Sequence, residues 1–363
     1  MTTHKLRRTL WNYQDNFINV DHENSTTSRI DSTTLQRDDV LHQLDEMSRG
    51  LNYEERSKDC HAPKRFYTNR TVWLDTDKDS KVHLIPRILH VSFGNRCLPQ
   101  DIYRNMELWE KNFPNYSIFL HDDDSVQALF DRSSYPMFPN FKRILKCVFY
   151  KGAMTIDIWR VLILFLYGGV YTDIDNYPTD KFHEDTIPYD VSSFFFSDAW
   201  NRPSQWFMAF EPRHPIMYIS MRSIVYNILS KIDIKNPKLV QMTGPHVIFH
   251  SFRHFYSATA TNVEIDNSKE LTGLYGLKSL KLPRRDVSKY LKSKEWYNDI
   301  VPHPYNSTLN VTRGERVDIE SKTAHWTKTI HRTKKKLKSV PNNCEAYLSM
   351  IDKDPSLKVE GNF

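Results

Sequence analysis

What this 363-residue sequence lacks narrows it first. Its four cysteines, Cys60, Cys97, Cys147 and Cys344, stand far apart with no C-x-x-C pair, which argues against a zinc site. They are compatible with two disulfides, by any of three connectivities, or with buried thiols. No uncharged stretch is long enough to span a bilayer. The longest apolar run, Val161 to Tyr167, closely follows Asp157 and Arg160 and reads as a core helix. No apolar h-region follows the basic residues at the N-terminus, so no signal or anchor is read there. The net charge of +6 is too mild and diffuse for a nucleic-acid groove, though it suits an anionic substrate. The densest basic run, His331 to Lys338, reads as a solvated tail. No internal repeat is visible.

What is present describes a mostly globular chain, with 39% hydrophobic and 26% charged residues. Residues 1–80 are rich in Ser, Thr, Asp, Asn and Arg and read as a polar, partly disordered stem, with at most a turn or two of amphipathic helix over Val40 to Met47. Residues 81–335 read as the folded domain, and 336–363 as a polar tail. Order begins at His83, with an apolar run closed by Gly94 that predicts a buried strand. Ile102, Met106 and Trp109 at helical spacing predict a helix over Asp101 to Asn112, and Tyr116 to Leu120 a second strand. The acidic triplet Asp122-Asp123-Asp124 is placed to cap the helix after it. Strand, helix, strand, helix is the order of an α/β domain with a mostly parallel sheet flanked by helices, in which ligands collect at the carboxyl ends of strands.

The segment from Lys151 to Pro178 carries the chemistry. Thr155 to Tyr167 has helical spacing and is apolar almost all round, so the helix is expected to be buried. Gly168 and Gly169 end it, and Val170 to Asp175 reads as a strand. Alternation then places Tyr171, Asp173 and Asp175 on one face, where two carboxylates repel unless a cation or hydroxyl groups sit between them. Asp157 and Arg160, three apart on the helix, share a face as well. They read either as an internal salt bridge or as partners of the same ligand as the strand carboxylates.

The pattern Asp157-x-x-Arg160, then Leu-Tyr-Gly168-Gly169-Val-Tyr-x-Asp173-x-Asp175, resembles the DXD sugar-binding glycosyltransferases. That group includes fungal initiation-specific α-1,6-mannosyltransferases, mannosyl inositol phosphorylceramide synthases and, more distantly, glucosylating clostridial toxins. The likeness extends to Ile85 to His90, Gln205 to Ala209, Glu211 to Pro215, Thr243-Gly244-Pro245 and Ala324-His325-Trp326. It implies a GT-A type fold, a nucleotide-sugar donor, a glycan or glycolipid acceptor and retention of anomeric configuration. By the same resemblance Asp175 binds a divalent cation, usually Mn2+, and Asp173 holds ribose or sugar hydroxyls. Asp157 and Arg160 contact the donor sugar, His90 and Phe93 lie near the nucleotide, and His325 is a second metal ligand. Gln205 and Trp206 are donor-binding by the same resemblance, and together with Pro212-x-His214-Pro215 they look more like the mannosyltransferase branch, hence GDP-mannose, with UDP-sugars as the alternative. Golgi or endoplasmic reticulum lumen is the implied compartment, and membrane association stays open. The sequence departs from the family at Phe93, which replaces a frequent Trp, and at Thr329 and Ile330, which replace a frequent Ser and Trp. Two rivals carry D-x-D differently. A dehalogenase-type phosphatase would leave Asp157, Arg160 and the glycine pair unexplained, and an inactive sugar-binding protein would not require the full set of carboxylates.

Overall fold

The computed structural model describes residues 37–49, 83–94, 98–132, 135–149, 152–178, 182–187, 189, 192–197, 203–231, 233–234, 238–259, 337 and 340–358. Within them a five-stranded sheet has the order β2-β1-β3-β5-β4. The strands are β1 (Ile88–Ser92), β2 (Ser117–His121), β3 (Gly169–Thr172), β4 (Ser193–Ser197) and β5 (Pro203–Phe210). β1 pairs in parallel with both β2 and β3, whereas β5 runs antiparallel to both β3 and β4. Four strands therefore share one direction, and the α/β class expected from the sequence is present.

Alternation along the strands sorts side chains into two layers. Leu89, Val91, Ile118, Leu120, Val170, Phe207 and Ala209 meet α2 (Gln100–Asn112) through Ile102, Met106 and Trp109. Ile88, Phe119, Tyr171, Met208 and Phe210 face the opposite layer, whose centre is α5 (Ala153–Tyr167). That helix is buried nearly all round, as its composition predicted, so its two charged residues must find partners inside the protein. Around it lie α3 (Asp123–Asp131), α4 (Phe141–Leu145), α6 (Pro215–Tyr226), α7 (Leu239–Met242) and α8 (Pro245–Thr259). Asp122 caps α3 as expected, accepting from the Ser125 amide at 2.9 Å.

The ends of the chain hold more structure than their composition suggested. In the stem, α1 (Arg37–Arg49) seats Val40, Leu44 and Met47 in the core. Residues 344–353, expected in a polar tail, form α9 (Cys344–Lys353), with Tyr347, Leu348 and Ile351 buried and a Cys147–Cys344 disulfide tying the helix to the chain just past α4. Apolar residues spaced three and four apart on an otherwise polar ten-residue segment were the signal overlooked there.

Candidate active site

The double glycine performs two tasks in succession. Gly168 closes α5, its amide bonding to Leu164 O at 2.9 Å with φ +65°, and Gly169 opens β3 with φ +91°. A Cβ on Gly169 would lie 2.6 Å from Ile88 O, and one on Gly168 2.7 Å from Pro212. Glycine is demanded by close approach as well as by backbone conformation. Chain reversal here brings the start of β3 beside β1 and carries the D-x-D segment back across the first turns of α5.

β3 ends at Thr172, so the strand expected through Asp175 is shorter than the pattern suggested. Asp173 to Asn176 form a turn, in which the Asn176 amide bonds to Asp173 O at 3.0 Å. The turn is supported from α2 and from β5. Trp109 Nε1 donates to Asn176 O at 2.9 Å and Asn105 to Ile174 O at 3.4 Å, both from α2. Trp206 O accepts from the Asp173 amide at 2.9 Å and from Asn176 Nδ2 at 3.2 Å. Strand alternation therefore does not set the direction of Asp175; a hydrogen-bonded turn does.

Arg160 is the hub. Its Nη1 lies 3.2 Å from Asp173 Oδ1, and its Nη2 3.4 Å from Asp157 Oδ1. Nη1 also donates to Gln205 O at 2.9 Å and Nε to Ile156 O at 3.3 Å, while the guanidinium stacks 4.6 Å from the Tyr171 ring centroid. Tyr171 donates its hydroxyl to the same Asp173 oxygen at 2.6 Å. On the far side, Thr243 Oγ1 donates to Asp157 Oδ2 at 2.9 Å, and Gln205 Nε2 to Thr243 O at 3.0 Å. The salt bridge and the ligand-facing reading therefore describe one cluster, because the arginine joins the helix carboxylate to the turn carboxylate. Its exposure is graded: Asp157 and Arg160 are each 8% exposed, while the Asp173 side chain is 33% exposed and Asp175 is half-buried.

That gradient shapes the charges. Burial raises the Asp157 pKa to about 6; Arg160 and the Thr243 hydrogen bond pull it down, and Asp173 pushes it up. Desolvation outweighs the ion pair here, so the carboxyl is a strained anion near neutral pH. Burial works against the Arg160 charge too, but Tyr171, Asp173, Asp157 and Asp175 together hold the guanidinium more firmly protonated than usual. Burial also drives the Tyr171 pKa well above its ordinary value, with Arg160 opposing, so the phenol stays a donor.

The remaining expected residues divide. Gln205 and Trp206 join the cluster, Gln205 with a buried side chain and Trp206 through its carbonyl. Phe93 stands half-buried just past β1, its amide bonded to His121 O at 3.0 Å, on the edge where the parallel strands end. His90 is fully buried, with Nε2 3.1 Å from Gly168 O and Nδ1 3.3 Å from His121 Nε2, and presents no surface to a nucleotide. His325 lies outside the described residues. Tyr171, Thr243, Asn105 and Trp109 were not among the expected site residues. Tyr171 two places before Asp173 was a legible signal; the two α2 residues were not, because their role depends on sheet topology.

Among the described residues no three His, Cys, Asp or Glu side chains converge on one metal position. The donor chemistry nevertheless fits a hard divalent cation that shares its shell with phosphate oxygens, since such ions take carboxylates and complete their coordination from ligand and water.

The family model described as glycosyltransferase sugar-binding region containing DXD motif matches residues 99–193, which include α2, α5, Arg160 and the whole D-x-D turn. An initiation-specific alpha-1,6-mannosyltransferase of Candida albicans is 29% identical over 85 residues, 23% of this chain and 22% of that protein. The chain thus aligns with about a fifth of that relative's length. A solved structure titled PaToxG glycosyltransferase matches with a TM-score of 0.35 and 15% identity, covering 48% of this chain and 70% of its own. The likeness read from Asp157 through Asp175 holds: this segment is similar to the sugar-binding region of the DXD glycosyltransferases.

Proposed function

We propose that this protein is a metal-dependent glycosyltransferase of GT-A type that moves a sugar from a nucleotide-diphosphate donor to a glycan or glycolipid acceptor with retention of configuration. The observation that carries the reading is the Arg160 hub, which ties the buried Asp157 to the half-exposed D-x-D turn at the carboxyl edge of the parallel strands. In this reading Asp175 ligates the cation, because Asp173 Oδ1 already serves Arg160 and Tyr171. Mn2+ is the first candidate and His325 a second ligand. The cation would act as a Lewis acid that neutralises charge on the departing diphosphate. The chain's own residues do the rest. Asp157, held by Thr243 and Arg160, and the outer oxygen of Asp173 accept hydrogen bonds from hydroxyl groups of the sugar or ribose and orient the donor. Phe93 lines the nucleotide side.

Mannose from GDP-mannose is the first choice of donor, supported by the mannosyltransferase relative and by the sequence likeness at Gln205 and Trp206; a UDP-sugar is the alternative. A secretory compartment is supported by the Cys147–Cys344 disulfide, which forms and persists in oxidising surroundings. No helix among the described residues is long and apolar enough to cross a membrane.

The test is a melting-temperature panel of purified protein with Mn2+ and a set of nucleotide sugars, since a ligand bound only to the native state raises the midpoint. GDP-mannose is expected to give the largest rise, and to be the donor whose turnover releases nucleotide. No rise with any nucleotide sugar, together with no nucleotide release, would refute the assignment.

A further inference from the structure

The buried contact of His90 with Gly168 has a determinable direction. A carbonyl oxygen only accepts, so at 3.1 Å His90 must carry its proton on Nε2. Burial lowers the His90 pKa to about 4 and keeps the ring neutral, so Nδ1 holds a lone pair. His121 Nε2, 3.3 Å away, is then the donor to it, and the other ring nitrogen of His121, Nδ1, lies 2.9 Å from Ser125 Oγ, within hydrogen-bond distance. His90 and His121 are fully buried and Ser125 is 1% exposed, so bulk water does not reset these assignments. One hydrogen-bond chain thus runs from the first turn of α3, through β2 and β1, to the carbonyl of the glycine pair.

That end point matters. Gly168 and Gly169 have no side chains to restrain the reversal between α5 and β3, and both sit at positive φ. His90 pairs in register with Tyr171, two residues before Asp173. We infer that His90 is a positioning residue for the proposed transfer: its Nε2–H, oriented by His121 and Ser125, holds the Gly168 carbonyl and fixes where β3 delivers Tyr171 and Asp173 to Arg160. The inference rests on the glycosyltransferase reading. It gives His90 no contact with the nucleotide and makes its effect on turnover indirect.

The experiment compares kcat and KM for donor turnover, well below the melting temperature, in the wild type, His90→Met and His90→Gln. Met fills the space without a donor, whereas Gln places an amide N–H near the position of Nε2. Loss of the restraint is expected to lower kcat in His90→Met about 100-fold, the size of effect produced by displacing reacting groups by an ångström. His90→Gln is expected to return to within about tenfold of wild type, being the same restraint in looser form. Wild-type kcat in His90→Met with only a lower melting temperature overturns the inference, as does a His90→Gln variant no faster than His90→Met. Should His90→Met not fold, imidazole 15N–1H NMR of the wild type decides. Nε2–H tautomers at both histidines support the chain, and an Nδ1–H tautomer at His90 removes it. A wild type without donor turnover overturns the glycosyltransferase reading instead, and the NMR result then judges the hydrogen-bond chain alone.

Discussion

The two ends of β3 are held by opposite physics. At Gly168 and Gly169 the restraint is steric and neutral: backbone approaches backbone closely enough that a Cβ would collide, and the polar contact comes from an uncharged imidazole. At Asp173 and Asp175, a few residues on, the restraint is ionic and partly open to water, with one arginine shared between a buried and a half-exposed carboxylate. The first arrangement stays closed and needs nothing from outside. The second gathers negative charge on a turn at the edge of the sheet, where the proposed cation and sugar nucleotide would bind. Rigidity at one end makes tolerance of charge at the other affordable.

Breaking the charged end gives the largest expected effect. Arg160→Ala leaves two carboxylates without their shared cation, one of them buried, and should cost about 3–5 kcal/mol of stability together with donor use. Chemical denaturation and donor kinetics check it; a loss of stability with normal kinetics would reduce the cluster to a structural salt bridge. Asp175→Asn should lower turnover about 100- to 1,000-fold, the scale for removing a principal electrostatic contact to developing charge, and leave the unfolding midpoint nearly unchanged. The measurement is nucleotide release against Mn2+ concentration, and near-normal turnover would exclude Asp175 as the metal ligand. At the steric end, Gly169→Ala should cost about 1–3 kcal/mol through backbone strain, before any contribution from the collision with Ile88 O. An unchanged melting temperature would mean that the reversal has room to adjust.

The smallest expected effect is a pH dependence of stability. A carboxyl whose folded pKa is raised to about 6 binds its proton more tightly when folded, so its contribution is present at low pH and lost as pH rises through about 6. His90 and His214 act in the opposite sense. Burial lowers their pKa values to about 4 and about 3, so their contributions are present above about 6.5 and fade as pH falls toward those values. The informative quantity is therefore the difference in melting temperature between Asp157→Asn and wild type, measured without metal or donor. Asp157→Asn should gain on wild type as pH rises from about 4 to 7, and a constant difference would mean that Asp157 is not a strained anion.

Much of this was legible in the sequence for a physical reason: local rules acted alone. The apolar periodicity of α5, the glycine pair, the Asp122 cap and the strand after Asn115 depend on neighbours within a few residues. Asp173 and Asp175 stood out as a D-x-D pair behind the glycine break, and Asp157 and Arg160 as charges three apart on an apolar helix. What the sequence did not show depends on distant partners. β3 stops at Thr172 because Trp206, Asn105 and Trp109 bind the following turn, and nothing near Thr172 announces it. His90 was expected near the nucleotide by resemblance alone, and no local pattern told which way its ring faces. Its burial between Gly168 and His121 follows from the pairing of β1 with β2 and β3. α9 was missed because its few apolar residues are diluted by polar ones and gain weight only against the core they join.

The Cys147–Cys344 link has one more consequence. The bond joins residues 197 apart, so the chain between them is a covalent ring that contains β3, the D-x-D turn and Thr243. A single protease cut anywhere in that ring would not release a fragment. The nicked protein would migrate as full length on a denaturing gel without reductant and separate into two pieces only after the sulfurs are reduced.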